Sequence, residues 1–176
     1  MKNSELKLIS ELMKNSRRSD RELAKAIGVS QPTVSRLIRK LEKDGVIKEY
    51  TMIPDFAKLG YGLMSFLFVK VKRDRAEDLE RSSKATAEEV QKNVFPDLLI
   101  EGGLGMGFDG VNVTLHRNYS DYAKQANCAK TRSFVQADHT DSFLVDLRNP
   151  VHFRSLTLSL VADDLVKRNE KESKVS

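Results

Sequence analysis

The chain is short of the residues that mark several functional classes. Its 176 residues contain a single cysteine, Cys128, so no internal disulfide can form, and this usage fits a reducing compartment. Beside Ala126 and Ala129 in a helical stretch, that cysteine reads as a small core residue. No run of about 18 apolar residues occurs. The opening Met1-Lys2-Asn3-Ser4-Glu5 leads into an amphipathic stretch rather than an apolar signal core. A soluble, cytoplasmic protein off the membrane is therefore expected. The three histidines, His116, His139 and His152, share no H-x-x-x-H or C-x-x-C spacing with another ligand. Asp138, His139 and Asp141 sit close in sequence and read as a surface ion pair. With no convergent base, nucleophile and phosphate loop, neither an enzyme nor a metal or cofactor is expected.

What is present is charge, unevenly placed. The net charge is +5, with 12 Lys/Arg against 8 Asp/Glu in residues 1–55 but 18 against 17 in residues 56–176. The excess sits where a stretch from Ser19 to Asp44, SDRELAKAIGVSQPTVSRLIRKLEKD, reads as two short helices and a tight turn. Ser19 and Glu22 form an S-x-x-E capping box for a first helix starting near Asp20. Gly28 ends that helix, Ser30 recaps the chain, and Pro32 is tolerated in the first turn of a second helix running from about Gln31 to Asp44. Leu23, Ala24 and Ile27, then Val34, Leu37, Ile38 and Leu41, form one apolar stripe on each helix, with Val29 between them. The opposite face of the second helix carries Thr33, Arg36, Arg39, Lys40 and Lys43, with Gln31 and Ser35 near its start. This is the pattern of a helix-turn-helix whose second helix has donors for base edges in a DNA major groove.

Residues 2–15 give a bracing helix with Leu6, Ile9, Leu12 and Met13 on one side, and Arg17 and Arg18 stand in the following loop, where they can meet a phosphate. After Gly45, VIKEYTMI alternates as a short strand pair does, in the position of a wing, until Pro54-Asp55 breaks it.

The segment DFAKLGYG (55–62), the strand LMSFLFVKVK (63–72) and the preceding DGVIKEYTMI together resemble the Lrp/AsnC, or feast/famine, transcription regulators. The resemblance is close over residues 19–72 and looser over 98–147. It implies an α+β protein: an N-terminal winged helix-turn-helix (1–53), a hinge (54–62) and a C-terminal ferredoxin-like βαββαβ domain (63–148) that dimerises and binds an amino acid or related metabolite.

The residues of the second half have a reading of their own. Leu63, Leu67 and Val69 lie on one side of the first strand and Met64, Phe66 and Phe68 on the other, so both faces need cover. RAEDLERSSKATAEEVQKNV, residues 75–94, keeps helical spacing. Leu98-Leu99-Ile100 begins a strand, Val111, Val113 and Leu115 alternate with Asn112, Thr114 and His116 in another, and Tyr119 to Phe134 is a helix using Tyr122, Ala123, Ala126 and Ala129. A last strand follows from Phe134 with Val135, Phe143 and Val145. That order is a split βαβ sheet with both helices on one face, and the Met64, Phe66 and Phe68 face is expected to form a homodimer, or a higher assembly of dimers.

Five of the nine glycines lie between Gly102 and Gly110, and Gly105, Gly107 and Gly110 match G-x-G-x-x-G. A strand rather than a helix follows, so a hairpin turn is expected and not a dinucleotide loop. The family resemblance implies an effector loop here, with Gly105 and Gly107 supplying backbone amides and Asp109 standing for its acidic residue. Residues 149–176 depart from the family pattern: an extra helix with Leu156, Leu160 and Val161 near one stripe, available for oligomer contacts, then a charged disordered end. The expected function is a sequence-specific regulator contacting double-stranded DNA through Gln31, Thr33, Ser35, Arg36, Arg39, Lys40, Arg17 and Arg18, modulated by an amino acid. A weakly specific architectural DNA binder and a metabolite sensor without DNA reading are the alternatives.

Overall fold

The structure is a computed structural model that describes residues 1–71, 95–132, 135–149, 151 and 155–175. Its helices are α1 (Asn3–Lys14), α2 (Asp20–Ile27), α3 (Gln31–Lys43), α4 (Tyr119–Lys130) and α5 (Ser159–Val175), and its strands are β1 (Leu63–Val71), β2 (Asp97–Gly105), β3 (Phe108–His116) and β4 (Val135–Asp146). The chain divides into two units, Met1–Ile53 with Phe153–Ser176, and Pro54–His152. The helix expected over 75–94 lies outside the described residues. No helix among the described residues is long and apolar enough to cross a membrane.

In the first unit, α2 and α3 pack across each other and onto α1 through Leu8, Leu23, Ala24, Ile27, Val34, Leu37 and Leu41, with Ile9, Leu12, Val29, Ile38 and Ile47 against their edge. At about 1.5–3 kcal/mol for each fully buried aliphatic side chain, this core outweighs any single cap in holding the unit. The stripe on α1 differs from the sequence expectation: Leu8 is buried, along with Glu5 and Ser10, whereas Leu6 and Met13 are half-buried. The reason is that α1 is covered on two sides, by α2 and α3 on one and by α5 on the other.

The expected strand pair over residues 46–53 does not form; the segment is extended without a ladder. Val46, Tyr50, Met52 and Ile53 are all exposed, and of the apolar residues in the alternation only Ile47 packs against the core. The segment is held instead at points: Val46 N and Ile47 N donate to Leu41 O at 2.9 and 3.1 Å, and Tyr50 Oη donates to Glu42 Oε1 at 3.0 Å.

The second unit is a four-stranded antiparallel sheet in the order β2-β3-β1-β4. It is the strand order of a ferredoxin-like domain, so the chain joins an N-terminal helix-turn-helix unit to a C-terminal α+β sheet domain. Gly62 extends β1 by one step, its N–H donating to His116 O and its carbonyl accepting from Leu147 N, both at 2.9 Å. The register puts Leu63, Ser65, Leu67 and Val69 on the same face as Asn112, Thr114 and His116. Ser65, Leu67, Thr114 and His116 are buried there, facing Gln125, Ala126 and Ala129 of α4. The other face carries Met64, Phe66, Phe68, Val111, Val113, Phe143 and Val145.

Two local readings are corrected. Cys128 is exposed and not a core residue: Ala126 points inward, and a step of two residues turns a helix through roughly half a circle. The tail does not turn disordered after a short helix, because α5 continues to Val175, supported by an Arg168–Asp164 pair at 2.7 Å one turn apart.

Candidate nucleic-acid interface

The turn between α2 and α3 is built by side chains a few residues apart. Ser19 Oγ accepts from Glu22 N at 3.3 Å while Ser19 N donates to Glu22 Oε2 at 2.8 Å, closing the box expected from the sequence. Ser19's hydroxyl and amide hold the Glu22 carboxyl below its ordinary pKa. Gly28 ends α2 at φ +74°, and its N–H and that of Val29 both donate to Ala24 O at 3.0 Å. An L residue with a Cβ is strained at that φ, so glycine belongs there. Ser30 is extended at the start of α3, with its carbonyl accepting from Thr33 N and Val34 N at 3.0 and 3.1 Å. Its hydroxyl bonds the Thr33 hydroxyl at 2.8 Å rather than a helix amide.

The burial of Val34, Leu37 and Leu41 turns the opposite side of α3 outward. Gln31, Arg36 and Arg39 are exposed on it. Among the described residues none of these three side chains has a hydrogen-bond or ion-pair partner, and the same holds for exposed Arg17. They are free to meet a ligand.

The other four expected contacts are engaged within the unit. Thr33 bonds Ser30. Ser35 Oγ donates to Asp20 at the start of α2, and lies 3.3 Å from Gln31 O. Arg18 is paired with Glu11 of α1. Lys40 Nζ donates to Glu5 Oε1 at 2.5 Å and lies 3.9 Å from Asp44 Oδ2. The Lys40 contact holds the Glu5 carboxyl below its usual range and raises the lysine in return. These residues brace the helix that presents the free ones. Glu5, Asp20 and Glu11, the acidic halves of these contacts, carry no signal in the sequence because each partner lies on a different helix or loop.

Tyr50 is half exposed, yet burial of its ring, with the Glu42 carboxylate beside its hydroxyl, pushes its pKa up to about 12. It therefore stays protonated and ties the extended segment to the C-terminal part of α3.

In the sheet unit, Met106 and Gly107 are the central residues of a tight turn between Gly105 of β2 and Phe108 of β3, with φ +52° at Met106 and +80° at Gly107. Positive φ at both central residues is the hairpin geometry the glycines permit. Asp109 is not part of that turn. It lies in β3, where its Oδ2 accepts from Val71 N at 2.9 Å and closes the end of β1. Beneath the sheet is a buried polar cluster the alternation did not disclose: Ser65 Oγ and His116 Nε2 share a 2.8 Å hydrogen bond, and Gln125 Nε2 donates to Thr114 Oγ1 at 2.7 Å. Burial holds the His116 pKa below its ordinary value.

A winged helix-turn-helix DNA-binding family matches residues 1–48. Among curated relatives, an uncharacterized HTH-type transcriptional regulator of Pyrococcus abyssi is 38% identical over 93 residues, covering 51% of this chain and 62% of its own length. The leucine-responsive regulatory protein of Rhizobium meliloti is 35% identical over 83 residues, covering 47% and 53%. The aligned part thus spans little more than half the length of these relatives. Among solved structures, a transcriptional regulator of Neisseria meningitidis in complex with L-Met superposes with a TM-score of 0.69 at 20% identity, over 92% of this chain and 99% of that one. Escherichia coli AsnC superposes with a TM-score of 0.66 at 20% identity, over 89% and 97%.

Proposed function

We propose, for a chain that is of the Lrp/AsnC regulator type in sequence and fold, that it is a sequence-specific transcription regulator acting on double-stranded DNA in the cytoplasm, with no catalytic step. The observation that carries this reading is α3: a helix whose inner side is locked into the core by Val34, Leu37 and Leu41 while Gln31, Arg36 and Arg39 stand outward without partners. Arginine presents two donors in a fixed fork to guanine O6 and N7, and glutamine pairs with adenine by donating from Nε2 to N7 and accepting from the N6 amino group at Oε1. In this reading Arg36 and Gln31 discriminate bases, Arg39 and Arg17 neutralise phosphates, and Thr33 and Ser35 hold the leading turn in place at the groove.

The open face of the sheet supports self-association. Phe66 and Phe143 lie against each other across β1 and β4 with ring centroids 6.3 Å apart, and Phe143 is 63% exposed. A second copy covering this face gives a dimer with two recognition helices, suited to half-sites about 34 Å apart. Modulation by an amino acid completes the reading. It is supported by the L-Met carried by the Neisseria regulator of the same fold and by the amides of the Gly105–Gly107 turn; Asp109 would act there through whatever capacity its bond to Val71 leaves. An effector of this kind works by favouring one assembly or helix spacing over another.

The test is fluorescence anisotropy with duplex DNA from the region upstream of the gene and a scrambled control, across a salt series. Roughly a thousandfold preference for the upstream duplex with a steep negative salt slope supports the regulator. Equal, salt-sensitive binding to both replaces it with an architectural role, and absence of binding to either removes the DNA assignment. Calorimetry against the common amino acids at millimolar concentration tests the effector.

A further inference from the structure

We infer that the C-terminal helix α5 is a working fourth helix of the DNA-binding unit, docked on α1 of its own chain, and that it sets α1 and through it the recognition helix α3. The inference rests on the DNA reading only for its effect on affinity.

The chain leaves the first unit at Ile53, forms the sheet unit, and re-enters the first unit from Phe153 onward. Helix α5 then lies along α1, and a cleft beside them is lined by Lys7, Ser10, Glu11 and Lys14 of α1, Ala26 of α2, and Asp163 and Val166 of α5. The four α1 residues follow an i, i+3, i+4, i+7 stripe, the spacing of one helix face, and it is a different stripe from the Leu8 and Leu12 side that meets α2 and α3. Ala162 of α5 is fully buried and Ser10 of α1 is 1% exposed, so the two helices exclude water where small residues let them approach. Lys14 Nζ reaches Asp163 Oδ1 at 2.8 Å beside this seam.

Without α5 that α1 stripe is open to water, and α1 is held by one side alone. Its hold on α3 is specific: Glu5, 3% exposed, receives Lys40 of the recognition helix. A loosened α1 therefore loosens the footing of Lys40.

Three sets of full-length variants test this. Ala162→Asp places a charge in the seam. Amide exchange of α1 and α3 is expected to speed up at least tenfold while that of β1 and β3 is unchanged, and the dissociation constant for the preferred duplex rises at least tenfold. Asp163→Lys, which leaves Ala162 in place, is expected to speed α1 exchange about two- to fivefold, as for an exposed ion pair, with recovery when combined with Lys14→Asp. Third, in a Cys128→Ser background, Lys14→Cys with Asp163→Cys is treated with a short bismaleimide at low protein concentration, and an intramolecular bridge at monomer mass is expected. Unchanged α1 exchange in Ala162→Asp overturns the inference, and so does a covalent dimer, which would seat α5 on a second copy. If the wild type binds no DNA, the DNA reading fails, while exchange and cross-linking still decide the role of α5.

Discussion

Lys40 on the outward half of α3 donates to Glu5 on α1 at 2.5 Å, across 35 residues of sequence. Exposed lysines on such a helix are ordinarily counted as phosphate contacts, but this one is spent inside the protein on a carboxylate that is almost wholly buried. Replacing it leaves the buried carboxylate without its counter-ion, held only by the Lys2 N–H at 2.8 Å, which is costlier than never having had the pair.

Lys40→Met is therefore expected to lower the melting temperature of the first unit while leaving the slope of log affinity against log salt nearly unchanged. Arg39→Ala should do the reverse: little change in melting and a slope shallower by about one unit, the mark of one lost phosphate contact. Arg36→Ala should cost roughly 1–3 kcal/mol of discrimination at one base position. A slope change in Lys40→Met equal to that of Arg39→Ala would return the lysine to the DNA-contacting set.

Acid should weaken the same unit. The pKa values of Glu5 and Glu22 are both lowered in the folded protein, the first chiefly by the Lys40 hydrogen bond and the second by Ser19. A carboxyl with a lowered folded pKa binds fewer protons in the native state than in the unfolded one, so stability rises with pH through that window. Their contribution is complete well above the ordinary value of 4.5 and is lost as pH falls below it. Thermal melts between pH 7 and pH 3 should show this loss, and Glu22→Gln should flatten it. Identical pH profiles for wild type and Glu22→Gln would show that the capping box does not supply the effect.

Gly28 carries a cleaner expectation. A Cβ added there meets no atom within 4 Å, while φ is +74°, so a substitution is penalised by the backbone alone. Gly28→Ala should destabilise by about 1–2 kcal/mol, and Gly28→Asn by less, because asparagine tolerates the left-handed region. Urea titrations of the three proteins measure this. Equal stability of all three would mean that the turn relaxes to another shape.

These residues also show which features were legible in the sequence. Ser19 with Glu22 and Gly28 with Ala24 act over three or four residues, so pattern alone places them. Lys40 with Glu5, Ser35 with Asp20, and Asp109 with Val71 act over 35, 15 and 38 residues, and only the packing of helices and strands brings them together. Half of the residues expected to contact DNA, Thr33, Ser35, Arg18 and Lys40, are already committed to internal partners. The alternation in β3 hid a similar reversal: its polar set, Thr114 and His116, faces α4 and is buried, while Val111 and Val113 of the apolar set lie half-buried on the other face. The segment after Gly45 has the alternation of a strand, but among the described residues of its unit there is no neighbouring strand to complete one.

That open face yields the last expectation. Phe143 is 63% exposed in the middle of β4, beside Phe66, with Met64, Val113 and Val145 on the same side of the sheet. An apolar surface of this kind on an isolated subunit marks an interface. A charge placed at its centre would be desolvated on association with nothing opposite it but a second copy of itself. Phe143→Asp should therefore shift the protein to monomer in sedimentation velocity at micromolar concentration. Because residue 143 is exposed and far from the α4 side, the melting temperature of the sheet unit, measured against the wild type dissociated by dilution, should change little. DNA affinity should fall as well, since two half-sites held by one assembly are bound with an effective concentration that a monomer lacks. An assembly that survives the substitution intact would move the self-association surface away from the sheet.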